Sequence, residues 1–240
     1  MVCVDPLGAP DALTELLRAA PRVLCLLGVV PKPDADLSLN LRLVEAVLDA
    51  AHRAQAGPVL IASSAAVYGN VPGLLTEEGP VQPLSAYGQA KHAMELMAAA
   101  HEHPCCLLRI GNIAGADAIL ESWRAGMALD YTPEYGTPRR SYIGPYALAK
   151  TLATLTDQSE LPQRLNVAAP GAVAMGALLD AAGRAWHRRA AGAGVIWDVT
   201  LDTERLEKRV YFLASDSTAQ GIVDDWRRWK ETYDTAQAPL

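Results

Sequence analysis

The stretch Ala62–Met97, ASSAAVYGNVPGLLTEEGPVQPLSAYGQAKHAMELM, decides how the rest of the chain is read. It begins at the end of the apolar run PVLIA (58–62), which reads as a strand. The chain then passes Ser63, Ser64 and a loop before entering a long segment of helical periodicity. That segment extends from Ser85 to His103 and is stopped by Pro104. CCLLRI (105–110) follows as another continuous apolar run, the pattern of a strand covered on both faces. Strand, helix and strand in this order predict a parallel sheet with helices packed against it.

Upstream, RVLCLLGVV (22–30) shows no alternation and reads as a second strand buried on both faces. The apolar Val2–Val4, ending at Asp5, reads as a shorter one. Asp11 to Arg18 is an expected helix with Pro10 and Asp11 at its start. Leu37–Ala54 carries Leu41, Val44, Val47, Leu48 and Ala51 at helical spacing. Downstream of Gly115 the pattern loses regularity, with aromatics and prolines between Trp123 and Pro145. A helix is expected from about Tyr146 to Thr156, a strand at Arg164–Ala168 and another helix from about Val173 to Arg189. In the amphipathic C-terminal segment Ile222, Trp226, Trp229 and Tyr233 share one stripe and are expected in the core, with Ser215, Asp216 and Ser217 as caps.

Composition narrows the function classes. The 240 residues suffice for one large domain, or one domain with an appendage. A formal charge of −6 argues against a nucleic-acid surface, and Arg188-Arg189 and Arg227-Arg228 read as solvated helix faces. Neither a charged leader with an apolar core nor a span of about 20 apolar residues occurs, so the expectation is a cytoplasmic protein without a membrane partner. Cys3, Cys25, Cys105 and Cys106 have no Cys-x-x-Cys spacing and read as buried reduced thiols. His101-Glu102-His103 places its histidines at alternate helical positions that point apart, so no metal site is expected. The serines lack a Gly-x-Ser-x-Gly elbow, which lowers a hydrolase reading.

Two Tyr-x-x-x-Lys occurrences are present, Tyr87…Lys91 and Tyr146…Lys150. Context separates them, because only Tyr87 opens a helix that follows the strand-terminal Ser63-Ser64. The four-residue spacing puts Tyr87 and Lys91 on one helix face, one turn apart. An ammonium held near the phenol lowers the phenol's pKa by favouring phenolate. A serine hydroxyl at the neighbouring strand end supplies a hydrogen bond to a substrate oxygen that gains or loses a proton. The strand end is also where open α/β sheets bind ligands.

Ser63-Ser64-Ala-Ala-Val-Tyr-Gly69, Tyr87-Gly-Gln-Ala-Lys91 and Leu108-Arg-Ile-Gly-Asn112-Ile-Ala-Gly115 together resemble the extended short-chain dehydrogenases/reductases, the NAD-dependent epimerase/dehydratase family. Arg164-Leu-Asn-Val-Ala168 and Leu201-Asp-Thr-Glu-Arg-Leu206 look like its later segments. The resemblance implies a Rossmann-like α/β fold with helices on both faces of the sheet and a small C-terminal substrate-binding portion. It implies an NAD(P)-dependent oxidoreductase or epimerase acting at a carbinol or carbonyl carbon of a sugar or nucleotide sugar. Ser64 would be the catalytic serine, Tyr87 the general acid/base, and Lys91 the residue that holds the nicotinamide ribose. Asp5 would lie near the adenine, while Asn112 and Arg140 would contact the substrate. A homodimer through the helices carrying Leu41–Ala51 and Tyr87–Ala100 is also implied.

The chain departs from that pattern at its start. No two of its glycines are three residues apart, so the family's Gly-x-x-Gly-x-x-Gly turn, which stabilises the cofactor pyrophosphate at a helix N-terminus, has no counterpart. The expectation is an N-terminally truncated Rossmann-like portion over 1–115 and a mixed substrate-binding portion over 116–240. A start set inside a longer reading frame, a natural truncation and a partner chain that completes the sheet all remain open. Binding of NAD or NADP is expected to be impaired. The rival reading is a non-catalytic binding or regulatory protein of the same fold. Leu27-Gly28-Val29, Asp36-Leu-Ser38-Leu-Asn40 and Tyr142-Ile-Gly144-Pro145 also differ from the family's segments.

Overall fold

A computed structural model describes residues 2–116 and 119–237. The chain forms two compact units and passes between them repeatedly. The first comprises the chain up to Gly69, Pro80–Ile110 and Leu155–Leu165; the second comprises Asn70–Gly79, Gly111–Thr154 and the chain from Asn166 onward.

The first unit is a sheet flanked by helices. Its strands are β1 (Val23–Cys25), β2 (Val59–Ser64), β3 (Cys105–Ile110) and the first half of β4 (Arg164–Val167), in the spatial order β1-β2-β3-β4. β1 and β3 both run parallel to β2, with Val23 opposite Val59 and Ser64 opposite Ile110. The helices are α1 (Pro10–Leu17), α2 (Leu39–Ala54) and α3 (Ala86–Ala100). α2 buries Val44, Val47, Leu48 and Ala51, the stripe expected from its periodicity. Ile61, Leu107 and Met94 join them in one cluster. Each large apolar side chain buried there contributes about 1.5–3 kcal/mol. α2 stops where Gln55 turns left-handed at φ 53° and its N–H returns to the carbonyls of Ala51 and His52.

Several expected boundaries move. Val2–Val4 forms no strand, and Val4 packs on the core from an irregular segment. The apolar run 22–30 supplies only the three residues of β1; beyond it Leu26 and Val30 are exposed. A run buried on both faces is expected because it is apolar throughout, but among the described residues β1 is the end strand of its sheet and lacks a neighbour on one side. α3 ends at Ala100 rather than His103, because His101 is extended and its N–H bonds the carbonyl of Ala98. Cys3 is exposed and Cys105 half-buried, while Cys25 and Cys106 are buried.

The second unit carries α4 (Pro145–Thr156) over most of its length, α5 (Met175–Ala181), α6 (Glu204–Glu207) and α7 (Ala219–Gln237). Its largest sheet orders Val173–Ala174, Arg139–Arg140, Asp198–Leu201 and Gly73–Leu75. Leu178, Leu179, Ile222, Val223, Trp226 and Tyr142 form its core. The carboxylate of Asp225 on α7 accepts the N–H groups of Tyr146 and Ala147, both at 2.9 Å, and so caps the start of α4. The helix expected over 173–189 ends at Ala181. His187–Ala190 instead pairs in parallel with Ala128–Tyr131, which puts Arg188 and Arg189 on an exposed strand and not a helix face. The α7 stripe is buried at Ile222 and Trp226, whereas Trp229 and Tyr233 stack on each other in exposed positions.

Candidate active site

Ser64 ends β2 and begins a 3₁₀ turn over Ala65–Tyr68. Its Oγ accepts the N–H of Ala66 at 3.2 Å, which caps that turn and holds the hydroxyl at the strand end. The turn closes at Gly69, whose φ of 67° suits glycine, and a side chain there would run into the Gln82 carbonyl. α3 starts beside this turn. Ser85 Oγ accepts the N–H of Gly88 at 3.0 Å and sets the helix entry one residue before Ala86.

Two turns of α3 then carry the phenol and the ammonium. The phenol of Tyr87 is hydrogen-bonded to the Ser64 side chain. Lys91 is 4% exposed; its Nζ lies 6.0 Å from the Tyr87 ring centre and donates to the Ala62 carbonyl at 2.9 Å. The structure thus brings together the three side chains that the spacing singled out. It differs from expectation in their electrostatics. Burial pushes the Tyr87 phenol up from its usual pKa, and the Ser64 hydrogen bond only partly offsets this. Burial also draws the Lys91 ammonium down, against the pull of Cys25 and Glu95. The expected lowering of the phenol by the lysine is therefore absent in this arrangement, where the ammonium is turned to a backbone oxygen.

Three groups that sequence reading missed surround these residues. Asn40, fully buried on α2, accepts the Val29 N–H at 3.1 Å and donates to the carbonyls of Val29 and Leu37. It clamps the segment after β1. Gly28 in that segment lies so close that an added Cβ would sit 2.8 Å from Asn40 Oδ1 and 3.1 Å from Lys91 Nζ.

The second and third are Glu95 and Arg109, a buried ion pair. Arg109 Nη2 and Nε reach both carboxylate oxygens of Glu95, at 2.7 Å and at 3.0 and 3.2 Å. Ser63 Oγ donates to Glu95 Oε1 at 2.6 Å, and Arg109 Nη1 donates to the Tyr68 hydroxyl at 3.1 Å. Burial alone disfavours the guanidinium charge, but the hydrogen bonds and charge of Glu95 outweigh it and hold Arg109 protonated. Removing one partner of such a pair costs about 3–5 kcal/mol. Its signal in the sequence was a lone arginine inside CCLLRI and a glutamate one turn after Lys91.

The remaining expected site residues have local partners. Asp5 is exposed and accepts the Leu7 N–H at 3.0 Å within a turn. In the second unit Asn112 donates to the Ser141 carbonyl at 3.2 Å, and Arg140 donates to the carbonyls of Arg139 and Ile196. Burial lowers the pKa of Arg140. The second Tyr-x-x-x-Lys is dispersed, with the Tyr146 hydroxyl on Thr232 and Lys150 Nζ on the Tyr211 carbonyl. Among the described residues no group of three or more His, Cys, Asp or Glu is arranged to hold a metal ion.

Comparison with known proteins gives three findings. A search of the curated proteins finds no match. Solved structures share the fold at low identity. An NAD-dependent NDP-hexosamine 5,6-dehydratase of tunicamycin biosynthesis matches with TM-score 0.75 and 16% identity, over 93% of this chain and 81% of its own. A UDP-N-acetylglucosamine 4-epimerase from Methanobrevibacter ruminantium matches at 0.73 and 18%, over 96% and 83%. A UDP-glucose-4-epimerase from Stenotrophomonas maltophila, solved with NAD, matches at 0.74 and 18%, over 98% and 83%. At such identities these likenesses speak for the Rossmann-like α/β fold alone. The family model of the NAD dependent epimerase/dehydratase family matches residues 11–168, well over half of the sequence, and the chain belongs to that family.

Proposed function

We propose that the protein is an NAD(P)-dependent oxidoreductase of the epimerase or dehydratase type, acting at a carbinol or carbonyl carbon of a sugar or nucleotide sugar. The observation that carries this reading is the hydrogen bond between Tyr87 and Ser64 beside the buried Lys91, at the end of a parallel strand. Tyr87 transfers the proton of the substrate hydroxyl. Ser64 holds the same oxygen by a hydrogen bond and keeps it in line with the phenol. The neighbours' NAD and UDP-sugar complexes support the cofactor and the substrate class.

The residues present fit the nicotinamide-ribose end of the cofactor. Lys91 is buried, and among the described residues its Nζ donates to the Ala62 carbonyl, leaving ammonium protons for a ribose diol. Lys91 and Tyr87 would hold that end, and Asp5 the adenosine side. The dinucleotide supplies hydride transfer when bound. Arg140 and Asn112 are the proposed substrate contacts. A second copy packing on α2 and α3, where Leu96 is exposed, belongs to the same reading, as does a cytoplasmic location. Among the described residues no helix is long and apolar enough to cross a membrane.

The rival reading is a non-catalytic binding or regulatory protein of the same fold. Titrating NADH or NADPH by fluorescence separates the two readings. Saturable binding that weakens at least tenfold in Lys91→Ala supports the enzyme, and equal or absent binding in both proteins rejects it.

A further inference from the structure

We propose that Glu95 and Arg109 are positioning residues, whose buried ion pair locks α3 to β2 and to the turn after it, and so fixes Tyr87 and Lys91 against Ser64. This rests on the reading of those three side chains as a proton-transfer site. The pair is tied at both ends of the segment that carries Ser64. Ser63, its neighbour in β2, donates to Glu95 at 2.6 Å, and Tyr68, the last residue of the turn, accepts from Arg109 at 3.1 Å with its ring 4.9 Å from the guanidinium. On the helix side Glu95 lies one turn after Lys91 and two after Tyr87, so any rotation of α3 carries all three together. Arg109 anchors the assembly to β3.

Apolar packing would hold these elements together equally well, yet it tolerates small slides and rotations. A two-pronged arginine–carboxylate contact does not, because the planar fork fixes both distance and angle. The side chains of both charges are 4% exposed or less. So costly a burial, where leucine and methionine would fill the space, fits a group retained to fix one register of helix against strand. Glu95 also faces Lys91 electrostatically and helps to keep its ammonium charged.

The test reads the phenol and the ammonium themselves, in the full chain labelled with 13C at tyrosine Cζ and lysine Cε, and needs neither cofactor nor substrate. Glu95→Leu/Arg109→Met removes the pair while filling its volume, and Ser63→Ala removes one tether without stranding a charge. If the pair positions the site, the folded double variant shifts the Tyr87 titration upward by about half a pH unit or more as the Ser64 hydrogen bond loosens. Lys91 then titrates lower, and Ser63→Ala shifts Tyr87 in the same direction by less. A folded double variant in which Tyr87 titrates as in the parent overturns the proposal. Should the double variant not fold, an unchanged Tyr87 in Ser63→Ala overturns it instead, and a shifted one supports it. Failure of the enzyme reading shows separately, as a parent chain that binds no NADH or NADPH.

Discussion

Gly88 on α3 rests directly against the Ala66 carbonyl: a Cβ added at Gly88 would lie 2.5 Å from that oxygen and 3.2 Å from its carbon. Ala66 belongs to the turn that Ser64 caps, and Gly88 follows Tyr87. The missing side chain therefore lets the first turn of α3 approach the end of β2. The phenol and the serine hydroxyl meet because of this close approach.

Gly88→Ala is expected to destabilise the protein by about 1–3 kcal/mol, since overpacking against backbone cannot be relieved by a rotamer change. The gain of about 1 kcal/mol in helix propensity acts in the opposite direction and does not cancel it. Urea denaturation followed by circular dichroism gives the value. An unchanged or higher midpoint would show that α3 is free to move away.

Asn40→Ala is expected to cost about 2–4 kcal/mol. It leaves the N–H and C=O of Val29 without their side-chain partner and opens a hole in α2. The segment at Gly28, which lies against Lys91 Nζ, should loosen as well, seen as faster amide exchange at residues 28 and 29. Exchange at the parent rate would show that Asn40 clamps nothing.

What the sequence displayed was whatever depends on local period and composition. α2, β2, β3 and the Tyr87–Lys91 face were readable because their side-chain spacing is itself the signal. The errors come from edges and from long-range pairing. The run 22–30 looks central, but it lies at the end of its sheet and leaves the strand geometry after Cys25. The stretch 187–190 looks helical until Ala128–Tyr131 arrives beside it, 59 residues away by the Arg189–Asp130 contact. Glu95 and Arg109 stand 14 residues apart with no local spacing to join them, and only the packing of a helix on a strand makes them a pair. Trp229 and Tyr233 continue a correct stripe, but α7 meets α4 there through Arg228 and Thr232 on Tyr146, and the two rings are left exposed.

His103 predicts a loss of stability in mild acid. Its ring is buried and held by the Gly57 carbonyl at 3.1 Å, with the rings of His52 and His101 nearby and Asp49 and Glu102 pairing with those two. Burial foremost, then the charges of His101 and His52, lowers its pKa, although the Gly57 hydrogen bond partly offsets this. An imidazole depressed in the folded state binds its proton more readily when unfolded. Its contribution is therefore complete above the unfolded value of about 6.5 and is lost as pH falls through the folded one. The urea midpoint should drop between pH 7.5 and 5.5, and drop less in His103→Gln. Parallel profiles would assign the acid sensitivity elsewhere.

Tyr87→Phe separates chemistry from architecture. The phenol is half-buried and its hydrogen bond to Ser64 is worth about 1 kcal/mol net, so the variant should fold with near-parental stability. Its raised pKa means that the unfolded chain ionises first: the contribution of Tyr87 is intact below about pH 10 and is lost as pH rises through the folded value. The variant should accordingly lose less stability than the parent between pH 9 and 11. Where the parent oxidises or epimerises a sugar substrate, removing the proton carrier should lower kcat by roughly 10²- to 10⁴-fold with little change in KM. A variant as active as the parent would place the proton transfer on another group.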